Sequence, residues 1–401
     1  MHLLRRLLPS RRSGRSRAIL LSSTVLALVA STLAPRAANA YAWMIAHGFS
    51  GCAACHLDPS GGGLLTELGR SEAVDSLRSH YGGGEVAPLS SNLGLVANPD
   101  WLLTGASLRV MDLLMKTDGA AASNSVILMQ ADLRVGVDAG HWRAAGSLGV
   151  ITNGNSPAAV AGNLVAREYW VGHTFANETV LLRAGRMNLP FGIRSIEHTL
   201  FVRTATRTDL NDTQEHGVAL GFRGGGFRGE LLGIAGNYQS SPDAFRQRGY
   251  SAYLEWSPTP RYAVGVSSLV THVAEDVYFR AANTRQAHGV LLRAAPVDHL
   301  ALLAEGDFLT QAPAGAKRWN GLATMLQIDG EIWQGLHLLA TGETYDSGQP
   351  GGSTSWGTWG SLAWFFLSRV DLRLDYMHRA ESYGSVRQPV DAYMVQVHVF
   401  L

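Results

Sequence analysis

Gly51-Cys52-Ala53-Ala54-Cys55-His56 holds the only two cysteines of this 401-residue chain. Two thiols three residues apart on one helical turn point the same way, so both can bond the vinyl edge of a porphyrin. The histidine directly after them then lies under the ring with a nitrogen for the iron. The pattern predicts one covalent haem c, with Cys52 and Cys55 as thioether anchors and His56 as the proximal iron ligand. Other cysteine chemistry fits less well. A structural zinc site takes four ligands and usually more sulfur, and there is no second pair. A thioredoxin-like pair belongs in a βαβ pattern, and none surrounds this one.

The iron needs a second axial ligand or an open position. His47 ranks first, because it lies nine residues before His56 in a small-residue loop and can reach over the ring. Met44 ranks second and would raise the reduction potential relative to histidine. His80 ranks third. Simple packing for Met44 and a solvent-facing helix end for His80 stay open as the alternatives. No distal His–Arg pair of the kind a peroxidase uses stands out in the sequence, which puts that chemistry last.

The haem segment must be carried by something exported. Arg5, Arg6, Arg11, Arg12, Arg15 and Arg17 precede an apolar run from Ala18 to Ala34, and Ala38-Asn39-Ala40 has the small-x-small form of a cleavage site. Residues 1–40 therefore read as a signal peptide. Its removal takes away seven arginines and no acid, leaving 26 of 33 basic side chains against 32 acidic ones, a net of −6. That balance gives no support to nucleic-acid binding.

Residues 41–100 read as a small haem segment and linker. Pro59-Ser60-Gly61-Gly62-Gly63 marks a turn, or a place where backbone passes close to the porphyrin. Leu64, Leu65, Leu68, Val74 and Leu77 approximate a helical stripe that ends near His80-Tyr81, and Pro88 to Pro99 form the linker. Sixty residues bury too little to hold a haem securely alone, so the segment is expected to lean on a larger body.

Cys52-x-x-Cys55-His56 followed by Leu65-Thr66-x-x-Gly69-Arg70 resembles the N-terminus of the outer-membrane fused cytochrome–porin family, which includes the monohaem iron oxidases. The matching stretch is about twenty residues long. It departs from the family in the Gly61–Gly63 run and in Ser71-Glu72-Ala73 after Arg70. The resemblance implies one haem c on a porin-like barrel and extracellular Fe(II) as electron donor.

Beyond residue 100 the period changes to two. Ile127, Met129, Ala131, Leu133, Val135 and Val137 alternate with Gln130, Asp132 and Arg134, and Val370, Leu372, Leu374 and Tyr376 alternate with Asp371, Arg373 and Asp375. Only 16% of the residues are charged, against roughly 25% in a typical soluble protein. Sixteen such segments can be counted between 102 and 401, joined by alternating short turns and long loops such as 153–162, 188–214, 273–284 and 380–390. These features predict an all-β fold, a 16-stranded antiparallel transmembrane barrel over residues 101–401, with its short turns and both barrel ends on the periplasmic side. A soluble β-sandwich is the competing fold. The segment 163–175 is ambiguous, since Arg167 and Glu168 fall on opposite faces. Loop 188–214 either folds inward as a constriction with Arg194, Arg203 and Arg207 facing the lumen, or is a solvated outer loop. The alternating end Tyr393, Val395, Val397, Val399, Leu401, with Phe400 next to last, resembles the signature read by the barrel-assembly machinery.

The expected role is an outer-membrane protein passing single electrons between an extracellular donor, such as Fe(II), and a periplasmic cytochrome or other carrier. The alternative is a passive diffusion porin whose haem-bearing segment serves as a periplasmic docking or sensor module.

Overall fold

The computed structural model describes residues 42–49, 51–70, 98–151, 159–161, 163–197, 199–209, 211, 213–239, 243–383 and 386–401. The expected signal peptide, His80 and most of the expected linker lie outside the described residues. Strands run in the order β1 (Leu102–Thr117), β2 (Ser123–Ala139), β3 (Trp142–Val150), β4 (Ala159–Ala161), β5 (Leu164–Val165), β6 (Tyr169–Phe175), β7 (Val180–Met187), β8 (Glu215–Gly224) and β9 (Phe227–Gly236). They continue with β10 (Arg248–Thr259), β11 (Tyr262–Val273), β12 (Asn283–Val297), β13 (Leu300–Pro313), β14 (Trp319–Trp333), β15 (Leu336–Asp346), β16 (Ser353–Leu367), β17 (Val370–Tyr383) and β18 (Val386–Phe400).

Each long strand pairs antiparallel with the next, and β1 pairs with β18 from Ser107↔Phe400 to Thr117↔Val390. The sheet therefore closes, leaving no strand edge to aggregate. β4 and β5 are a short hairpin at the end of β3; the remaining sixteen strands form the barrel wall.

The period-two pattern explains which face is which. Leu133 is 69% exposed while its neighbour Asp132 is 3% exposed, and Phe308 is outside while Glu305 and Asp307 are buried inside. Apolar side chains outward and charged ones inward invert a soluble sandwich. That arrangement is stable only where the outside is hydrocarbon. Among the described residues no helix is long and apolar enough to cross a membrane, so the strands do the spanning.

Two expectations need correction. The stretch 380–390 is not a long loop: β17 runs to Tyr383 and β18 starts at Val386, so the hairpin extends beyond the wall. The segment 163–175 is not one strand but two, β5 and β6, broken at Ala166–Glu168. There Ser147 Oγ accepts from the backbone N–H of both Arg167 and Glu168 at 3.0 Å. The break lets two consecutive charged side chains both point inward and be buried, which an unbroken strand forbids.

The interior is filled. Loop 188–214 folds inward, as the first of its two readings has it. Gly192 N–H donates to Ser267 Oγ (2.9 Å), Ile193 N–H to Glu305 Oε2 (2.8 Å) and Phe201 N–H to Glu343 Oε2 (2.7 Å). A helical turn, Phe201–Thr206, ends on Arg207 in the left-handed region (φ 52°). The wall's carboxylates thus satisfy backbone groups that a buried loop would otherwise leave orphaned. Leu189, Phe191, Ile193, Leu200 and Val202 make an apolar core with Leu57 and Leu64 of the N-terminal segment.

Candidate functional site

The Cys-x-x-Cys-His stretch forms a short helical turn. A 3-10 turn spans Cys52–Ala54, and the amides of Cys55 and His56 both donate to the Cys52 carbonyl at 3.2 and 3.0 Å. Both cysteines are buried, and neither is in a disulfide.

The residues after the motif wrap it. Leu57 N–H donates to the Leu64 carbonyl (3.0 Å), Thr66 N–H to the Cys55 carbonyl (2.9 Å) and Thr66 Oγ1 to the Ala54 carbonyl (2.6 Å). Between them Gly61, Gly62 and Gly63 all have positive φ, 93°, 84° and 70°. A side chain at Gly61 would sit 3.1 Å from Cys52 Sγ, so the glycine run lets the backbone close over the first thiol. Gly69 packs equally tightly, since a Cβ there would stand 2.9 Å from Cys55 Cα. Arg70 then donates to the Thr104 carbonyl on β1. Leu65, Thr66, Gly69 and Arg70 are thus the residues that fold back on the motif and tie it to the wall.

Asp58 is the main anchor to the barrel. Its Oδ1 accepts from Arg183 Nη1 (3.0 Å) and from the Ser60 amide and hydroxyl (2.9 Å each), and its Oδ2 accepts from Asn188 Nδ2 (3.0 Å). Burial alone would raise its pKa, but Arg183 and these donors hold it below the usual carboxylate value. Arg134 Nη1 donates to the Gly63 carbonyl (2.9 Å), and Arg194 Nε donates to the Ser60 carbonyl (3.1 Å). The arginines of loop 188–214 face inward but are engaged: Arg203 with Glu305, and Arg207 with Asp276 at 3.0 Å.

His56 is partly buried, and desolvation lowers its pKa to about 4, with Asp58 opposing and Arg134 reinforcing the shift. Its imidazole is therefore neutral at physiological pH, the form a metal ligand must take. Its Nδ1 is buried without a hydrogen-bond partner. The ring lines an open cavity, about 1750 Å³ with the solvent at its mouth, bounded in part by Trp43, Arg134, Arg167, His337 and His398. Cys52 lines a second cavity of about 870 Å³, with Arg194, Arg228, Tyr253 and Arg293 on its walls. His56 and Cys52 thus face different cavities, and Cys55 lines neither but packs in an apolar cluster with Met44 and Phe365.

Of the expected distal ligands, Met44 is fully buried in an apolar cluster with Trp43, Ile45, Cys55 and Phe365. His47 closes the 3-10 turn Ala42–His47 and places Nε2 at 2.8 Å from Glu331 Oε2. The structure brings a different imidazole to the His56 cavity. His337, on β15, is held through Nδ1 by Asp329 (2.8 Å), while its buried Nε2 stands 3.8 Å from Glu331 Oε1, beyond hydrogen-bond distance. Period-two parity alone marks His337 as inward-facing, because Leu338 beside it is exposed; nothing in its spacing links it to His56.

No protein-family model matches the chain, and no curated protein matches it by sequence. Solved structures that it resembles include outer-membrane β-barrels. OmpT, an outer membrane protein of Vibrio cholerae, superposes with a TM-score of 0.58 at 10% identity over 76% of this chain and 100% of its own. The anion-selective porin from Comamonas acidovorans gives 0.56 at 11% over 75% and 99%. The outer membrane channel DcaP of Acinetobacter baumannii gives 0.54 at 12% over 75% and 97%. The fold is that of an outer-membrane porin barrel, with a lipid bilayer as its surroundings.

Proposed function

We propose that this chain is an outer-membrane c-type cytochrome–porin fusion that passes single electrons across the membrane, with extracellular Fe(II) as donor and a periplasmic cytochrome as acceptor. The observation that carries the reading is the position of the Cys52–His56 turn. It packs against the inner wall of a membrane barrel rather than hanging free of it. The apolar band of such barrels is about 25 Å tall, so a redox centre inside the wall is within reach of both faces where one outside is not.

Bound through Cys52, Cys55 and His56, a haem would supply one-electron chemistry to this site. The chain's own groups do the rest. Cys52 and Cys55 give thioether anchors, and neutral His56 offers the iron a nitrogen. Arg134 and Arg167 bring positive charge to the His56 cavity, where propionate carboxylates would need it. His337, with Nδ1 fixed by Asp329, lines the same cavity as His56 and would be a further nitrogen available to the iron. Trp43, Leu57 and Leu64 exclude water around the site.

The experiment is proteoliposomes enclosing oxidised cytochrome c, with Fe(II) added outside. Reduction of the enclosed cytochrome by the wild-type protein, and none by a Cys52→Ala, Cys55→Ala variant, supports the proposal. Reduction by neither would remove it.

The likeness to porins favours a second reading, passive diffusion with the haem segment as a docking or sensor module. Bilayer conductance separates the two: a wide, stably open channel belongs to the porin reading.

A further inference from the structure

A second metal-ligating constellation lies at the short-turn end of the barrel, apart from the cysteines. His47 comes from the N-terminal segment, His299 from the β12–β13 turn and Glu331 from β14. One ligand atom of each lies within 4.8 Å of the others. His47 Nε2 and His299 Nδ1 each stand 2.8 Å from the same oxygen, Glu331 Oε2. His47 Nε2 is buried, and the Glu331 carboxylate is the group it faces.

The carboxylate is held for this purpose. Its other oxygen, Oε1, accepts from the Gly335 amide at 3.1 Å, and the Glu331 amide donates to the His299 carbonyl at 2.8 Å. His299 itself sits in the left-handed region, φ 62°, unusual for a side chain other than glycine. That conformation directs its imidazole back to Glu331. The two imidazole rings meet edge to face with centroids 5.8 Å apart, and Trp43 packs 5.8 Å from His47.

We infer that His47, His299 and Glu331 form a binding site for one borderline divalent transition ion of the zinc class. Two imidazoles and one carboxylate suit such an ion, whereas calcium or magnesium would want oxygen ligands throughout. His299 is more than half exposed, which leaves the site open to the ion from solvent and leaves room for water as a further ligand. One ligand comes from the N-terminal segment and two from the wall, so the ion is a clasp that ties the segment to the barrel. The inference does not rest on haem.

The test is equilibrium dialysis of the purified, tag-free, chelator-stripped protein against Zn(II) alone, with bound metal read by mass spectrometry and X-ray absorption. One equivalent with a nitrogen–oxygen shell is expected, weakened at least tenfold in His299→Ala and in Glu331→Gln. Heat-modifiable migration on gels checks that each variant is a closed barrel. Should Glu331→Gln fail to fold, the exposed His299→Ala decides alone. No saturable binding, binding unchanged in His299→Ala, or a sulfur shell that places the ion at Cys52 and Cys55 would overturn it.

Discussion

Arg183 on β7 donates to Asp58, two residues beyond the motif histidine, at 3.0 Å, with both side chains out of contact with solvent. The other arm of the guanidinium pairs with Glu230 on β9. A single arginine thus joins the N-terminal segment to two strands of the wall. Breaking a buried ion pair by removing one partner is costly because the survivor keeps its desolvation penalty.

Asp58→Asn should therefore loosen the segment while leaving the barrel closed. The expected loss is about 3 kcal/mol, the low end for a broken buried pair because Glu230 still neutralises Arg183. Arg183→Met should lose more, since it strands two carboxylates. Urea-dependent protease cleavage within the segment measures both, and the double variant should fall short of the sum. Unchanged protection in Asp58→Asn would show that the anchor lies elsewhere.

Loop 188–214 has its own acid-sensitive clamp. Burial would raise the Glu197 carboxyl, but Arg373 at 2.6 Å outweighs it and holds the pKa below the ordinary carboxylate value. A carboxylate with a depressed folded pKa stabilises above its unfolded value, and that stability is lost as pH falls through the folded value. The loop should stay seated from neutral pH down through the ordinary carboxylate range and release only as the pH falls below it. Bilayer conductance over that range reads the release, and Glu197→Gln should abolish its pH dependence. A transition centred near pH 6 would point to histidine instead.

Gly192 sits where the inserted loop touches the wall, at φ 60°. A Cβ there would collide with Glu305 Oε1 and stand 2.5 Å from Arg203 Nη2. Gly192→Val should displace the loop at a strain of about 1–3 kcal/mol. Single-channel conductance is expected to be small in the wild type and to rise in this variant. A wild type that already conducts like an open porin would contradict the filled interior.

The strands were legible because a membrane wall imposes its period on every strand, and β8 runs Glu215–Gly224 as the alternation and turn residues predict. The break at Arg167-Glu168 was legible only as an inconsistency, since its remedy needed Ser147 on a neighbouring strand. The motif turn at Cys52–His56 is local and could be read directly. His337, His299 and Glu331 could not, because nothing in the chain says which inward positions of β14 and β15 meet residues 43–47. Loop 188–214 was undecidable for the same reason: Glu305 and Glu343, which hold it inside, lie more than a hundred residues away.

Central to the proposed function is a haem c that Cys52, Cys55 and His56 would hold. Its most direct measurement is the pyridine haemochrome spectrum of the protein purified from outer membranes and denatured. A c-type α-band at one haem per chain is expected, vanishing in the Cys52→Ala, Cys55→Ala variant. A colourless polypeptide, folded and inserted but without that band, would contradict it.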